Sequence, residues 1–325
     1  MVTGLPSNNL SSVYNKNKQR KAIAAILRWY TRNGRSFPWR LPVGRPPGIT
    51  NPYRILISEI MLQQTQVSRV LVKYPQFLRR FPTLRAVAKA RQRNVVLEWR
   101  GMGYNNRAVR LHKLPREVIE EYRGKIPKEY DQLVSLPGIG RYTANALRAS
   151  AFGASVPVVD VNIQRVLSRV FWKMRTIKHL QPLGEIWKLA EDLLPHGRAY
   201  DWNQALMDLG ASVCTARRPL CEKCPARSIC ASRPAMSRIF LHNPKREPSL
   251  DGIPNRMYRG RIVEALRQTR KGRSLTADQL GKRIHSSFSR RHTAWLRNVL
   301  SGLQEDGLIQ IRGNGSLKTQ HISLA

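Results

Sequence analysis

The chain has 325 residues, with 57 Lys and Arg against 20 Asp and Glu, a formal charge of +37. So one-sided an excess is the footprint of a polyanionic partner, nucleic acid ahead of an anionic membrane surface, and exceeds what solubility requires. No apolar run reaches the ~18–20 residues of a membrane span, and the length predicts roughly two or three compact units with real cores.

Residues 1–20 are polar and basic without an apolar h-region, which predicts a flexible basic arm rather than a secretory signal. From Lys21, the positions Ile23, Ile26, Leu27 and Tyr30 recur at helical spacing until Asn33-Gly34. Phe37-Pro38-Trp39-Arg40 follows, then a Pro- and Gly-rich loop over 41–52, with Pro52 placed to open the helix Tyr53–Leu62. That helix carries one acid, Glu59, among Ile55, Leu56, Ile60 and Met61. Burying a carboxyl there raises its pKa, as a general acid near neutral pH requires; an exposed Glu paired with a surface Arg is the plainer alternative. Gln63, Gln64 and Gln66 come next, each able to bond a base edge or fill the gap left by a displaced base.

Further helices are predicted over Val67–Phe81, Thr83–Lys89, Arg93–Arg100 and 108–124. Before the last of these, Gly101-Met102-Gly103-Tyr104 is a glycine turn bearing a ring that is either core or a wedge between bases. Arg107 and Arg110 read as helix-face phosphate contacts or as a solvated face.

Leu136-Pro137-Gly138-Ile139-Gly140 is a tight reversal between two helical patterns, the second opening at Arg141 with Ala144, Leu147 and Ala151 at helical spacing. Unpaired backbone N–H groups at a glycine turn opening a helix make a phosphate cradle. Val158-Val159-Asp160-Val161-Asn162 then leads into another helix. Asp160 reads as an N-cap, and equally as a carboxylate aimed at developing positive charge; the two are compatible.

Helical patterns at Ile186–Leu194 and Asp201–Val213 lead to Cys214, Cys221, Cys224 and Cys230. Four thiolates so clustered in a chain without a signal sequence point to a metal site, a tetrahedral zinc or a [4Fe–4S] cubane, between which the spacing does not choose. Residues 233–255 read as a linker. Arg261–Thr269, Thr276–Ile284 and Arg290–Asp306 are helical patterns followed by a glycine-turned hairpin over 308–324. This is the winged-helix layout, a module that binds DNA or protein; its basic residues lean toward DNA.

Over residues 20–232, this series of motifs resembles the helix-hairpin-helix, Gly/Pro-Asp superfamily of base-excision DNA glycosylases. The strings are F-P-W-R at 37–40, S-E-I-M-L-Q-Q-T-Q-V at 58–67, G-M-G-Y at 101–104, L-P-G-I-G-R-Y-T-A, V-V-D-V-N, N-Q-A-L-M-D-L-G-A and the cysteine loop. The glutamine-rich string and N-Q-A-L-M-D-L-G are most similar to the MutY-type adenine branch. The resemblance implies a mostly α, two-lobed fold over 21–232: a six-helix lobe at about 51–160, and a cluster lobe from 21–50 plus 161–232. A linker, 233–255, and a winged-helix-like domain, 256–325, follow. It also implies a [4Fe–4S] cluster on the four cysteines.

By the same resemblance, Glu59 protonates N7 of a flipped adenine and helps activate water. Asp160 stabilises the oxocarbenium ion or traps it, with Asn162 and Tyr142 as supporting polar groups. Tyr104 and Gln64 insert beside the displaced base, and Gln204 lines the adenine pocket. Gln63, Arg107, Leu136, Gly138, Gly140 and Arg141 complete the expected DNA contacts. The related endonuclease III enzymes carry a lysine where Tyr142 stands, so Tyr142 implies hydrolysis without strand cleavage. Tyrosine occurs there also in thymine glycosylases, and residues 256–325 are too short for the Nudix-like domain that senses oxidised guanine in the adenine branch. The expected function is removal of adenine from mispairs with guanine or oxidised guanine, by a monomer on duplex DNA, in the cytoplasm at the nucleoid. Removal of thymine or uracil opposite guanine, and a non-enzymatic iron–sulfur regulator, are the alternatives.

Overall fold

The computed structural model describes residues 15–45, 50–172, 181–233, 247–270, 273–313 and 315–325. Most of the predicted arm and residues 234–246 of the predicted linker lie outside them. By chain contacts there are two compact units: Met1–Ile55, Lys128–Tyr130 and Gly140–Pro244 in the first; Leu56–Pro127, Asp131–Ile139 and Lys245–Ala325 in the second.

In the first unit, α1 (Lys16–Asn33) buries Ile26, Leu27 and Tyr30 of the predicted stripe together with Ala22, while Ile23 is only half-buried. It starts at Asn15, whose side chain accepts from the Lys18 N–H at 3.1 Å. The core also takes Val166, Phe171 and Trp172 from and after α9 (Val161–Phe171), Trp187 from α10 (Leu183–Asp192), and Trp202 and Leu209 from α11 (Ala199–Ser212). Phe37 and Trp39 stack with centroids 5.2 Å apart.

The second unit begins within α2 (Pro52–Leu62), which opens on the expected proline. It continues through α3 (Val67–Arg80), α4 (Leu84–Lys89), α5 (Gln92–Glu98) and α6 (Asn106–Tyr122). Leu56, Ile57, Val70, Phe77, Trp99 and Leu111 form its interior, Trp99 meeting Phe77 edge-on at 6.1 Å. The short α7 (Tyr130–Ser135) and the glycine turn then connect to α8 (Arg141–Ala151) of the first unit.

The C-terminal part of the second unit holds α12 (Asn255–Arg267), α13 (Ala277–Ile284) and α14 (Thr293–Glu305) around Tyr258, Ile262, Leu280, Leu296 and Ile322. The predicted hairpin is β4 (Ile309–Arg312) against β5 (His321–Leu324), antiparallel with Ile311 opposite Ile322. Two features were not foreseen. β3 (Leu275–Thr276) adds to the other edge of β5, before a capping box in which Thr276 and Gln279 bond reciprocally. Within the predicted linker, β1 (Ser249–Leu250) and β2 (Ile253–Pro254) form a hairpin about Asp251-Gly252, both at positive φ.

This C-terminal module is bonded to α5 and its surroundings. The Arg267 guanidinium, mostly buried, donates to the Val96 carbonyl at 2.8 and 3.1 Å and to Asn105 Oδ1 at 2.8 Å. Arg93 donates to the Thr269 carbonyl at 2.9 Å and Gln92 to that of Gly307 at 2.8 Å. Arg100 pairs with Glu264.

Candidate active site

Asp160 sits where an extended strand becomes α9. The approach is held by two buried amides. Asn203 accepts from the Val158 N–H at 3.1 Å and donates to the Val156 carbonyl at 2.9 Å, and Asn145 donates to that of Pro157 at 3.0 Å. Asp160 is the N-cap: Oδ1 accepts from the N–H groups of Asn162 at 3.0 Å and Ile163 at 2.7 Å. Oδ2 accepts from Asn162 Nδ2 at 2.7 Å. Three donors thus fix the carboxylate at the positive end of a helix, partly exposed, beside the 71 % exposed Val161.

Behind it runs a chain of bonds that sequence reasoning missed. Asn162 Oδ1 accepts from Arg165 at 2.9 Å, and the same guanidinium donates to the carbonyls of Gly210 at 2.6 Å and Cys214 at 2.9 Å. A Cβ on Gly210 would stand 2.8 Å from that of Asn162, so only glycine lets α9 and α11 close here. Burial pushes the Arg165 guanidinium below its usual range, although Cys214 and Asp160 oppose this. Arg169 donates to the carbonyls of Thr215 at 2.7 Å and Ala216 at 3.1 Å, and reaches the Cys214 sulfur at 3.5 Å. The backbone carbonyl of the first cysteine is thereby tied to the Asp160 carboxylate through two side chains, Arg165 and Asn162.

Tyr142 lies in the first turn of α8, packed on Ala146, Ala149, Val158 and Met207. Gln204, on α11, is buried, and its Oε1 accepts no hydrogen bond. A buried acceptor left unpaired costs about 1–3 kcal/mol. Arg141 is exposed and its guanidinium lies 3.9 Å over the Trp187 ring.

Glu59 belongs to the second unit, on the face of α2 between the buried Ser58 and Ile60, with its Oε2 enclosed. Beyond α2 the backbone turns twice through the left-handed region. Gln64 has φ 54° and Tyr104 φ 42°, and both side chains are exposed, Tyr104 to 48 %.

Arg107 explains how both turns are held, and corrects the expectation of a phosphate contact. Its guanidinium points inward and is 5 % exposed. It donates to the carbonyls of Ile60 at 2.8 Å, Met61 at 2.9 Å and Gln63, to Thr65 Oγ1 at 2.7 Å, and to the carbonyls of Met102 and Gly103 at 3.1 Å. Carbonyls freed by two tight turns need donors, and one planar fork supplies them all. Burial lowers its pKa to about 10, still cationic at neutral pH. Gln63 joins this cage through its carbonyl, so its expected part in DNA contact falls to its side chain alone.

In the hairpin, Gly138 has φ 82°, and a Cβ there would stand 3.3 Å from the Arg110 side chain. Gly140 is extended, φ −102°, with open space around it, and caps α8 without a side-chain bond. Leu136 is 2 % exposed, so its side chain packs inside rather than facing a ligand.

The four cysteines are free thiols that line one small apolar cavity with Val166, Val170, Leu209, Val213, Pro219 and Leu220. Burial, then neighbouring cysteines, push the thiols of Cys221 and Cys230 up, and burial takes Cys224 to about 12. Among the described residues, the close three-ligand grouping a single ion needs is Asp251, His285 and His292, not the cysteines.

The F-P-W-R string anchors to a residue not singled out from sequence, the fully buried Asp208. Its carboxylate accepts from the Arg35 N–H and Nε, both at 2.8 Å, and from Arg40 at 2.9 Å, while the two guanidiniums lie 5.1 and 4.9 Å from the Phe37 ring. An acid inside the helical string 203–211, with arginines flanking an aromatic upstream, was the signal available.

Residues 57–191 match the family described as HhH-GPD superfamily base excision DNA repair protein. The adenine DNA glycosylase of Mycolicibacterium smegmatis is 36 % identical over 295 residues, 89 % of this chain and 96 % of that protein. That of Mycobacterium tuberculosis is 40 % identical over 74 % of this chain and 77 % of its own length. The human adenine DNA glycosylase is 39 % identical over 71 % of this chain, which spans only 42 % of the human protein. Among solved structures, a thermostable thymine-DNA glycosylase is 32 % identical with TM-score 0.59, covering 67 % of this chain and 97 % of that one. An endonuclease III–DNA complex shares the fold, with TM-score 0.58 at 23 % identity, over 68 % of this chain and 97 % of that one.

Proposed function

The chain belongs to the HhH-GPD superfamily of base-excision DNA repair proteins, and we propose that it is a monofunctional glycosylase removing adenine mispaired with guanine or oxidised guanine. The observation that carries this is 36 % identity to an adenine DNA glycosylase across 96 % of that enzyme, a match long enough to enter the C-terminal module. It acts as a monomer on duplex DNA in the cytoplasm, at the nucleoid. No helix among the described residues is long and apolar enough to cross a membrane.

The C1′–N9 bond of the deoxyadenosine breaks with its electron pair going to the purine. Glu59 gives a proton to N7, so that neutral adenine departs. Asp160 sets its carboxylate, fixed by three donors, against the cation left on the sugar. Water adds to C1′ and returns its proton to Glu59, leaving an abasic site. Asn162 orients Asp160, and Tyr142 offers a phenol where an amine would be needed for Schiff-base strand cleavage. The unpaired Gln204 Oε1 suits the adenine N6 amino group, a donor that thymine and uracil lack. Pyrimidines also have no N7 to protonate, so thymine and uracil removal is disfavoured. Gln64 and Tyr104 fill the space the base leaves, and the Gly138–Gly140 turn with Arg141 holds backbone phosphate.

Cys214, Cys221, Cys224 and Cys230 would hold a [4Fe–4S] cluster. The four thiols line one apolar cavity, which suits a sulfur-ligated inorganic core. Bound there, the cluster would cross-link the loop that carries Cys214. The C-terminal module, helices α12 to α14 with sheet order β3-β5-β4, is read as a winged helix.

Glu59→Gln and Asp160→Asn test the assignment. Each is expected to slow adenine release by about a hundredfold or more with duplex binding retained, since removing a positioned acid or charge costs that much. Borohydride added during turnover of the unsubstituted protein should trap no enzyme–DNA adduct. A trapped adduct would overturn the monofunctional reading.

A further inference from the structure

A groove of about 480 Å³ lies on the outer face of α1 in the first unit, where that helix meets the loop between Cys224 and Cys230. From α1 it takes Lys21, Ala24, Ala25, Arg28, Trp29 and Arg32, whose spacing of three and four puts them on one helical face. The opposite face carries Ala22, Ile26 and Tyr30 into the core, so the groove is what α1 shows to solvent. Pro225 and Ile229 form the other wall. Trp29 and Ile229, both half-buried, pack against the core and border the groove.

The groove is apolar within and cationic at its edge. Lys21, Arg28 and Arg32 are exposed, and none lies within ion-pair reach of a carboxylate among the described residues. α1 contains no acid, and the one acid of the cysteine loop, Glu222, is taken by Arg227 and Arg233. Neither wall therefore balances three like charges spread over roughly 16 Å of helix. A ligand that relieves their repulsion is anionic, and one that dries the alanines, Trp29 and Ile229 is apolar. Duplex DNA meets only the first condition, since its outer surface is phosphate and sugar. A peptide with Asp or Glu set beside Leu, Ile or Phe meets both, as in the laying of an amphipathic segment into a groove.

We propose that this groove docks an acidic peptide segment of a partner protein, its apolar side chains against Ala25, Trp29 and Ile229 and its carboxylates on Lys21, Arg28 and Arg32. None of these residues belongs to the machinery assigned to adenine release, so docking is separable from catalysis. Pro225 and Ile229 lie between the third and fourth cysteines, so the loop read as holding the cluster also completes the docking face. The inference goes beyond the glycosylase reading, and its test needs binding only, so it stands apart from whether adenine is released.

The full-length protein is titrated onto a fluorescein-labelled amphipathic peptide of glutamates and leucines. Two control peptides replace the glutamates by glutamine or the leucines by serine. Saturable binding of the first peptide is expected, with both controls weaker. Arg28→Gln with Arg32→Gln should weaken it by about fivefold or more, the worth of two exposed ion pairs. Arg79→Gln with Lys89→Gln, an equal charge loss at exposed positions on α3 and α4, should leave affinity within about twofold. Ala24→Gln keeps the charge but fills the groove at an exposed helical position, and should weaken binding without moving the unfolding midpoint. Equal losses in the two double variants, or a serine peptide bound as tightly as the leucine one, would reduce the effect to net charge and overturn the proposal. Unchanged binding by Ala24→Gln would do the same. So would a loss of duplex affinity on changing Arg28 and Arg32 beyond that of the control pair, which would make the groove a DNA surface.

Discussion

Asp160 serves as helix cap and as the proposed catalytic anion with the same two oxygens, and this makes its role separable by substitution. Asparagine caps a helix about as well as aspartate, so Asp160→Asn should shift the unfolding midpoint little while abolishing most adenine release. An equal loss of stability and activity would reduce Asp160 to a cap. Arg165 is the converse case. Its guanidinium spans Asn162, Gly210 and Cys214. Arg165→Ala strands the buried Gly210 carbonyl and removes a donor from Asn162 Oδ1 and the Cys214 carbonyl, and should cost about 2 kcal/mol in stability, read by denaturant unfolding. It should also lower adenine release in the fraction that stays folded, because Asn162 then loses the partner that aims it at Asp160. Retained stability would contradict the geometry.

At the scale of elements, the hairpin and the Arg107 cage fix the backbone of the turns proposed to contact DNA. Gly138→Ala places a Cβ at φ 82° and 3.3 Å from Arg110, costing about 1–2 kcal/mol from the backbone alone. Its expected signature is weaker duplex binding, measured by titration, with a smaller effect on the excision rate at saturation. Much of this layer was legible beforehand. Pro52 opens α2, Asp160 caps α9, and the glycine-turned hairpin over 308–324 is β4–β5, because each rests on local backbone chemistry. Arg107 was misread for the opposite reason. Its inward direction follows from six acceptors gathered from two turns some 40 residues apart, which no helical spacing encodes. Asp208 and Arg267 likewise act through partners distant in sequence. The Asp251-Gly252 hairpin was visible in principle, since that dipeptide is a strong turn signal, but a polar, proline-rich context argued for linker.

For the whole molecule, the +37 charge makes affinity a function of ionic strength. Binding to any duplex should weaken steeply between low and physiological salt, while the choice among mispairs changes little, since pockets rather than phosphates make that choice. Iron removal acts differently. Burial lifts the Cys224 thiol to about 12 and raises those of Cys221 and Cys230, so deprotonating them to take up metal works against their surroundings. Oxidative or acid loss of the proposed cluster should be accompanied by loss of adenine release and of ordered structure over 214–233, followed by visible absorbance and limited proteolysis. The most direct measurement offers the purified protein four duplexes, carrying A·G, A·oxidised G, T·G and U·G, and reveals abasic sites with alkali. Alkali-dependent breaks at adenine in the first two, with the pyrimidine duplexes intact, are predicted; breaks at thymine or uracil, or at no base, would contradict the account.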